Sequence, residues 1–293
     1  MLLNDSLELI GNTPLVKLKG YNNIYAKIEK NNLSGSIKDR PAFWMLKKLF
    51  EEGKLHKGDT IIEPTSGNMG ISLAALSNIF EINCIIVMPK SMSFERRKLI
   101  KDYSATLVLV DGGMKECVIK AKQLNEQIEN SIIVDQFNNV NNMLSHYQTT
   151  IKEILNDLED VDLIIDGIGT SGTISGMGKY IKDNNLNIEV ICIEPYSSPL
   201  ISKKRSGVHH IQGIGANFIP PLFDHSLVSK IMLIKDEEAI ECARKIVQSN
   251  GLLVGISSGA NLAGALKLQE QSDYQNKKIV VIFPDSGERY TWE

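Results

Sequence analysis

The sequence has no marked excess of charge of one sign, few aromatic residues and few cysteines. Its 32 lysines and arginines face 35 acids across 293 residues, for a net charge of -3. No broad basic surface is therefore expected to neutralise phosphates, and a nucleic-acid partner is not predicted. The four cysteines stand singly, without the paired spacing of disulfide frameworks or zinc sites. Hydrophobic residues at 43% and aromatic residues at 6% are ordinary for a globular chain.

Long apolar runs, low-complexity linkers and internal repeats are also missing. The longest uncharged segment, 246–266, contains four glycines and several polar residues, which disfavours a membrane span. An acid, Asp5, stands where a signal peptide needs basic residues. We therefore expect a cytoplasmic protein without a membrane partner. Composition alone marks no domain boundary.

Short β-branched runs alternate with longer amphipathic stretches. Alternation of this kind predicts βαβ units, a mainly parallel sheet and function at the carboxyl ends of the strands, so the fold class is α/β. The predicted strands are 24–28, 60–62, 84–88, 106–110, 132–135, 163–166, 190–193 and 279–283.

A lysine stands just before a predicted helix. Asp39 is the expected N-cap and Pro41 suits the first turn, which places Lys38 just outside the helix. In a loop of small residues Lys38 could simply be solvated. Beside phosphate-binding and carboxylate-binding loops, a desolvated amine could instead form an imine with a carbonyl cofactor.

A strand at 60–62 leads into a loop of hydroxyl and glycine residues, Thr65-Ser66-Gly67-Asn68, and then into an apolar helix. Backbone N–H groups, hydroxyls and a helix N-terminus suit an anion such as a substrate carboxylate. The alternative is a simple capped helix start, which needs only one hydroxyl residue.

A second such loop carries the pattern G-x-G-x-x-G at Gly167, Gly169 and Gly172, and Glu194 ends the following strand. A dinucleotide fingerprint is therefore a competing interpretation. The hydroxyls of the loop at 170, 171 and 173 favour a compact terminal phosphomonoester instead.

The segment Gly255-Ile256-Ser257-Ser258-Gly259 matches the nucleophile elbow of hydrolases. An α/β-hydrolase needs a histidine after its serine, yet the last histidine is His225. The hydrolase interpretation therefore fails on chain order. Pyridoxal phosphate would use an imine lysine, a phosphate loop, a partner for its ring nitrogen and a carboxylate clamp together.

These segments together resemble the cysteine synthase family, the fold-type-II pyridoxal-phosphate enzymes that include O-acetylserine sulfhydrylases and cystathionine β-synthases. The resemblance covers nearly the whole chain in consistent order. Its motifs lie at 10–15, 35–40, 63–68, 92–97, 136–137, 169–173, 213–216, 255–259 and 285–290.

The resemblance implies a role for each matching position. Lys38 would carry the cofactor as an imine and then act as general base, and Asn68 would bond the ring hydroxyl. Ser257 would face the pyridine nitrogen. The phosphate would be held by Gly169, Thr170, Ser171, Gly172 and Thr173. The substrate carboxylate would be held by Thr65, Ser66, Gly67, Asn68, Met69 and Gln136.

The resemblance also implies an architecture and a reaction. The fold would be a two-domain α/β fold like that of the tryptophan synthase β subunit, with the cofactor between the domains. Residues 1–38 and 142–293 would form the larger phosphate-binding domain, and 39–141 a smaller mobile domain. The enzyme would be a homodimer that replaces the β-substituent of an activated serine through an aminoacrylate, with O-acetylserine and sulfide giving cysteine.

Two departures from the family pattern leave the substrate open. Met69 stands where the family usually has threonine, and the stretch after Gln136-Phe137 reads Asn138-Asn139-Val140-Asn141-Asn142. Elimination of sulfide from cysteine, followed by addition of water, cysteine or homocysteine, is the alternative within the same chemistry. An NAD-dependent oxidoreductase and a catalytically silent binding protein are the alternatives outside it.

Overall fold

The computed structural model describes residues 2–290, so Met1 and residues 291–293 lie outside the description. The chain divides into two compact units. One consists of residues 1–37 and 143–293, and the other of residues 38–142. The functional roles predicted for the two parts of the chain stay predictions.

Strands and helices alternate along most of the chain. The strands are β1 Leu15–Lys17, β2 Ile24–Ile28, β3 Thr60–Pro64, β4 Asn83–Pro89, β5 Thr106–Val110, β6 Ser131–Ile133, β7 Leu163–Gly167, β8 Glu189–Pro195, β9 Lys230–Ile234 and β10 Ile279–Phe283. The α-helices are α1 Asp39–Glu51, α2 Asn68–Phe80, α3 Phe94–Asp102, α4 Met114–Gln127, α5 Val140–Ser145, α6 Ile151–Asp157, α7 Gly172–Asp183, α8 Leu200–Lys203, α9 Asp236–Asn250 and α10 Ile256–Gln269. A π-helical turn spans His146–Thr150, and 3-10 turns span Ser6–Leu9, Glu29–Asn31, His225–Leu227, Ser272–Tyr274 and Gly287–Arg289.

The unit formed by 1–37 and 143–293 is built on a six-stranded sheet in the order β1-β2-β10-β7-β8-β9. All neighbouring strands are parallel except β1 and β2. Alternate residues of a strand point to opposite faces. In β10, Ile279, Val281 and Phe283 enter the core on the face covered by α9 and α10, whereas Val280 and Ile282 enter the core packed by α6 and α7. Burial on both faces explains why these strands read as continuous apolar runs.

The unit formed by 38–142 has a four-stranded sheet in the order β5-β4-β3-β6, in which every pair is parallel. Helix α4 packs on β3 and β4, where Cys117 and Ala121 meet Ile62 and Val87. Helices α1 and α2 pack against each other. The carboxyl ends of β3 and β6 lie at the same edge, because the two strands run side by side in one direction.

The predicted α/β class and the mainly parallel sheets are confirmed, and each of the eight predicted strands coincides with an observed one. Two strands, β1 and β9, were not predicted. All four cysteines are buried and unpaired in disulfides. Over residues 2–290, none of the helices combines the length and apolar character that a membrane crossing requires.

Candidate active site

Lys38 stands immediately before α1, as predicted. Its backbone carbonyl accepts the N–H of Ala42 at 3.0 Å, which makes Lys38 itself the N-cap. The expectation that Asp39 is the N-cap is therefore wrong by one residue, because Asp39 already belongs to the first turn. Pro41 lies in that turn, where a missing N–H costs no hydrogen bond. The N–H of Ile37 donates to the carbonyl of Pro284 at 2.8 Å and so fixes the chain just before Lys38.

The predicted carboxylate loop follows β3 and enters α2 at Asn68, with Gly67 as the N-cap. Thr65 is buried, and its hydroxyl accepts the N–H of Gly67 at 3.3 Å. A side chain at Gly70 would collide with the methyl group of Thr65. Glycine at 70 therefore lets the first turn of α2 close against the loop, and the N–H of Gly70 donates to the carbonyl of Gly67 at 3.1 Å.

Gln136 lies beyond β6, at the same sheet edge as the carboxylate loop. Its side chain is buried, and its backbone carbonyl accepts a hydrogen bond from the side-chain amide of Asn142 at 2.8 Å. The structure thus brings Gln136 and the 65–69 loop to one edge of one sheet. Met69 is buried as well.

A buried acid, Glu63, connects these two segments. Its carboxyl accepts the N–H of Asp135 at 2.8 Å and that of Gln136 at 3.4 Å. The pKa of Glu63 is raised to about 8, mainly by burial and to a smaller extent by the charge of Asp135, while hydrogen bonds from the backbone N–H groups of Gln136 and Asp135 and from the Gln136 side chain act in the opposite direction. Asp135 has a left-handed backbone with φ of 56°, and the successive N–H groups of Asp135 and Gln136 both donate to this one carboxyl group.

The predicted phosphate loop, 169–173, follows β7 and opens α7. Thr170, Ser171 and Thr173 are buried. Ser171 is the N-cap of α7 and has a left-handed backbone with φ of 64°. A non-glycine residue in this conformation costs roughly 1–2 kcal/mol, and such strain is concentrated at functional sites.

Gly169 allows a close approach between two loops. A Cβ at 169 would collide with the carbonyl oxygen of Gly213, and the N–H of Gly215 donates to the carbonyl of Ile168 at 2.8 Å. The segments 167–170 and 213–216, both predicted from motifs, are thereby held together. Glycine is required at 169 by contact rather than by backbone angle.

Ser257 is buried in the first turn of α10. One turn later, the Asn261 side-chain amide donates to Asp166 of β7 at 3.1 Å and to the carbonyl of Ile282 of β10 at 2.7 Å. These bonds tie the beginning of α10 to the carboxyl ends of two neighbouring strands. Ser257 and the 169–173 loop therefore lie at the same edge of the six-stranded sheet.

Two buried residues that the sequence analysis gave no role contact the predicted site. Glu63 is one, and the signal for it was an acid that directly follows the apolar pair Ile61-Ile62 within β3. His146 is the other: its ring accepts or donates a hydrogen bond to Thr150 at 2.9 Å and approaches the hydroxyl of Thr173 at 3.4 Å. The π-helical turn that brings His146 to α7 has no clear sequence signal.

The dinucleotide interpretation does not agree with the structure around Glu194. Its buried carboxylate accepts the N–H groups of Ile201 at 2.7 Å and Ser202 at 3.0 Å. The carboxylate of Glu194 therefore binds the N-terminal turn of α8, whereas a dinucleotide site would use it to bind a ribose hydroxyl. The cysteines are poor nucleophiles, since burial raises the pKa of Cys84 to about 12.

The residues present fit a phosphomonoester. The loop at 169–173 offers small residues, buried hydroxyls and the N-terminus of a twelve-residue helix, which together form an anion site. The hydroxyls of Ser175 and Ser258 are buried without a hydrogen-bond partner among the described residues. Within the described part of the chain, no cluster of three or more potential metal ligands occurs.

The family model described as pyridoxal-phosphate dependent enzyme matches residues 7–285. The chain belongs to this family. Its cofactor is pyridoxal 5'-phosphate, and the chain is a β-replacement enzyme of the cysteine synthase family.

Individual relatives match over nearly their full length. Cysteine synthase B of Campylobacter jejuni is 44% identical over 97% of this chain and 95% of its own. The hydrogen sulfide-producing enzyme of Fusobacterium nucleatum has a TM-score of 0.94 and 41% identity, covering 99% of each chain. O-acetylserine sulfhydrylase isoform 3 of Entamoeba histolytica has a TM-score of 0.95 and 37% identity over 100% of this chain and 91% of its own.

The predicted family, fold class, cofactor and enzyme class are thereby confirmed. The silent binding protein and the oxidoreductase are set aside in favour of the pyridoxal-phosphate enzyme. The individual roles of the site residues stay predictions.

Proposed function

We propose that the protein makes L-cysteine from O-acetyl-L-serine and sulfide. The observation that carries the proposal is the common edge of β3 and β6, which holds the 65–69 loop and Gln136 together. Such an edge suits the carboxylate of a small amino acid. The cysteine synthase B of Campylobacter jejuni supports the choice of reaction.

The donor is held through its carboxylate. In this proposal the hydroxyls of Thr65 and Ser66, the N–H groups at Gly67, Asn68 and Met69, and the side-chain amide of Gln136 bind the two carboxylate oxygens. A clamp that fixes one end of the donor orients its Cα and Cβ for reaction. Met69 has no hydroxyl, so in this proposal it contributes only its backbone N–H to the clamp.

The cofactor is held by residues from several loops. Gly169, Thr170, Ser171, Gly172 and Thr173 bind the phosphate through backbone N–H groups and hydroxyls at the start of α7. When the cofactor is bound, Asn68 would donate to its ring hydroxyl, and Ser257 would face its ring nitrogen. A neutral serine does not demand a protonated nitrogen, which suits elimination with little carbanion build-up.

Lys38 would bind the cofactor's aldehyde carbon through Nζ, and the amine of the donor would displace Nζ from that carbon. When bound, the cofactor would supply an electron-withdrawing ring that acidifies the Cα of the donor. Nζ of Lys38, freed in this exchange, would then take the Cα proton as general base and return it to Cα once the β-substituent has been replaced. In the replacement the Cβ–O bond of the donor breaks with release of acetate, and a bond from the sulfide sulfur to Cβ forms in its place.

A second candidate donor is L-cysteine itself. The hydrogen sulfide-producing enzyme of Fusobacterium nucleatum, 41% identical to this chain, favours it. In that case the Cβ–S bond breaks, sulfide leaves, and water or a thiol adds at Cβ. The same clamp and the same lysine serve both reactions, so the proposals differ only in leaving group and acceptor.

Purified protein given each donor separately distinguishes the two reactions. We expect cysteine to form from O-acetyl-L-serine and sulfide with consumption of sulfide. Rapid sulfide release from L-cysteine alone, with no cysteine made from O-acetyl-L-serine, would reverse the choice of donor.

Substitution of Lys38 tests the role of the amine. Lys38→Ala should lose the visible absorbance of the bound cofactor and lower donor turnover by at least a thousandfold. Lys47→Ala, which removes an exposed lysine of α1, should change neither the absorbance nor the turnover. A borohydride-reduced adduct found on a lysine other than Lys38 contradicts this assignment.

We also propose that the enzyme is a cytoplasmic homodimer. The proposal comes from the resemblance to the cysteine synthase family. Sedimentation equilibrium of the purified protein should give a mass of about twice the 32.6 kDa of one chain.

A further inference from the structure

Glu63 is unusual in being an acid at the end of a strand that is otherwise apolar. β3 lies between β4 and β6, and Glu63 is 2% exposed. The ladder between β3 and β6 ends at the pair Ile62 and Ile133, after which Val134 still donates to Ile62 at 3.1 Å. The next two N–H groups of this chain segment have no strand partner and donate instead to the carboxyl of Glu63.

The Glu63 carboxyl therefore accepts the backbone N–H groups that follow the end of the ladder between β3 and β6. Asp135 turns into the left-handed region, so Gln136 leaves the strand direction and the Glu63 carboxyl fixes the angle at which it leaves. The far side of the turn is held by Asn139, whose side chain donates to the carbonyl of Val134 at 3.2 Å, and by Asn142, which donates to that of Gln136 at 2.8 Å. These bonds specify the backbone of Gln136 from both sides.

Glu63 lies two positions before Thr65, the first residue of the carboxylate loop. One carboxyl thus connects the only two segments of residues 38–142 that the proposed function assigns to the donor carboxylate. A Glu side chain is long enough to reach across to the neighbouring segment, and its two oxygens can accept from two N–H groups at once. A glutamine keeps only one of the two acceptor oxygens, and an apolar residue keeps neither.

We propose that Glu63 is a positioning residue for the donor: it holds the backbone of Asp135 and Gln136 so that the Gln136 amide meets the same carboxylate as the 65–69 loop. The inference rests on the proposed function and names a residue on which its carboxylate clamp depends. Glu63 itself binds neither donor nor cofactor.

The test compares two substitutions of Glu63 with a matched control. Glu63→Leu removes both acceptors at similar size, and Glu63→Gln keeps one. Glu116→Leu is the control, because Glu116 also accepts a backbone N–H, that of Gly113 at 2.8 Å, on an exposed part of the same unit. We expect the KM for O-acetyl-L-serine to rise at least tenfold in Glu63→Leu and about threefold in Glu63→Gln. The KM for sulfide and the cofactor content should stay within twofold in all three.

Coupling to Gln136 separates positioning from a general structural defect. Because Glu63 acts through Gln136, the double variant Glu63→Leu with Gln136→Ala should have the donor KM of Gln136→Ala alone, within threefold. The proposal is overturned if the donor KM of the double variant rises by the product of the two single-variant effects. An unchanged donor KM also overturns it, as does a parallel rise in both KM values with loss of cofactor.

Hydrogen exchange supplies a measurement that does not depend on turnover. In the cofactor-loaded enzyme without donor, a peptide covering 131–142 should exchange at least tenfold faster in Glu63→Leu than in wild type, with no change in Glu116→Leu. Equal protection in wild type and variant overturns the proposal. If Glu63→Leu does not fold, Glu63→Gln decides by the same coupling and exchange measurements.

Failure of the proposed function has a different signature. If wild type turns over neither O-acetyl-L-serine nor L-cysteine, the function is wrong whatever Glu63 does, while hydrogen exchange still reports on its two N–H bonds. If L-cysteine is the donor, the same variants are measured with L-cysteine. An active wild type with a donor KM insensitive to Glu63 rejects only the positioning role.

Discussion

The Glu63 carboxyl shows how a single buried group can set a pH dependence. In the folded protein its pKa is about 8, mainly because burial penalises the charged form. In the unfolded chain it should titrate near the ordinary value of 4.5. Asp135 is the charged neighbour that raises the pKa further, and in turn the charge of Glu63 contributes to the raised pKa of Cys84.

The sign of the resulting stability change follows from the proton count. Between pH 4.5 and about 8 the folded state keeps a proton that the unfolded state has lost. The free energy of unfolding therefore falls as pH rises through this window, by up to ~1.4 kcal/mol per pH unit from this group. Below the window, the contribution of Glu63 is fully present.

Glu63→Gln should remove this contribution. Urea unfolding of the cofactor-loaded wild type and variant at pH 5, 6.5 and 8 measures it. The free energy of unfolding of wild type minus that of the variant should decrease as pH rises. The control is Glu52→Gln, an exposed acid whose pKa is lowered chiefly by a hydrogen bond to Lys54. A wild-type-minus-variant difference that is flat with pH contradicts the raised pKa.

At the residue scale, the sequence predicted the place of the candidate lysine but not the exact boundary of the helix beside it. The position of Lys38 just outside a helix followed from Pro41 and the apolar pattern after it, while the exact N-cap did not. Boundaries of this kind shift by a residue because several residues can supply the first carbonyl. Glu63 received no role, since its partners Asp135 and Gln136 are more than seventy residues away in sequence.

At the element scale, the 169–173 loop is shaped by its contact with the 213–216 segment. Gly169→Ala adds a methyl group against the carbonyl oxygen of Gly213, which two tied loops can relieve only by moving apart. Overpacking of this kind costs typically ~1–3 kcal/mol. We expect cofactor affinity to fall at least tenfold, as measured by titration of the cofactor-free protein with pyridoxal 5'-phosphate.

A glycine with more space around it provides the comparison for Gly169→Ala. Gly113 is the N-cap of α4, and a Cβ there meets only the Glu116 carboxylate at an ordinary 3.8 Å. Gly113→Ala should leave cofactor affinity within twofold. Unchanged affinity in Gly169→Ala would show that the contact with Gly213 does not shape the phosphate loop.

The elements themselves were predictable where burial was strongest. Strands such as β7 and β10 are apolar on both faces, so they stand out from the helices around them. β1 and β9 lie at the two edges of the six-stranded sheet and are only partly buried. β1, an antiparallel strand of three residues, is too short to be recognised from its pattern. β9 was missed although it is apolar from Ile231 to Ile234.

At the scale of the whole molecule, topology was the part that local patterns could not supply. β2 pairs with β10 along Ile24–Ile28 and Ile279–Phe283, near opposite ends of the sequence. The chain leaves the first unit after residue 37 and returns at 143, with no linker composition at either point. Long-range pairing of this kind follows from which apolar faces must be covered together, and the resemblance to a known family was needed to anticipate the architecture.

Removal of the cofactor should lower the stability of the whole molecule. A ligand that binds only the folded state stabilises it by mass action, by ~2.7 kcal/mol at a hundredfold excess over Kd. We expect thermal unfolding of cofactor-free enzyme several degrees below that of the loaded enzyme, with full recovery when pyridoxal 5'-phosphate is added back.

The phosphate loop predicts a partial recovery that needs no ring. The α7 N-terminus with the hydroxyls of Thr170, Ser171 and Thr173 should bind inorganic phosphate on its own, because helix N-termini and buried donors attract anions. Millimolar phosphate should therefore raise the unfolding temperature of cofactor-free wild type above that in chloride of equal ionic strength. The same addition should have little effect on Gly169→Ala, in which the loop is displaced. An equal rise in both proteins would mean that phosphate acts elsewhere on the molecule, and the assignment of this loop to the cofactor's phosphate would lose its support.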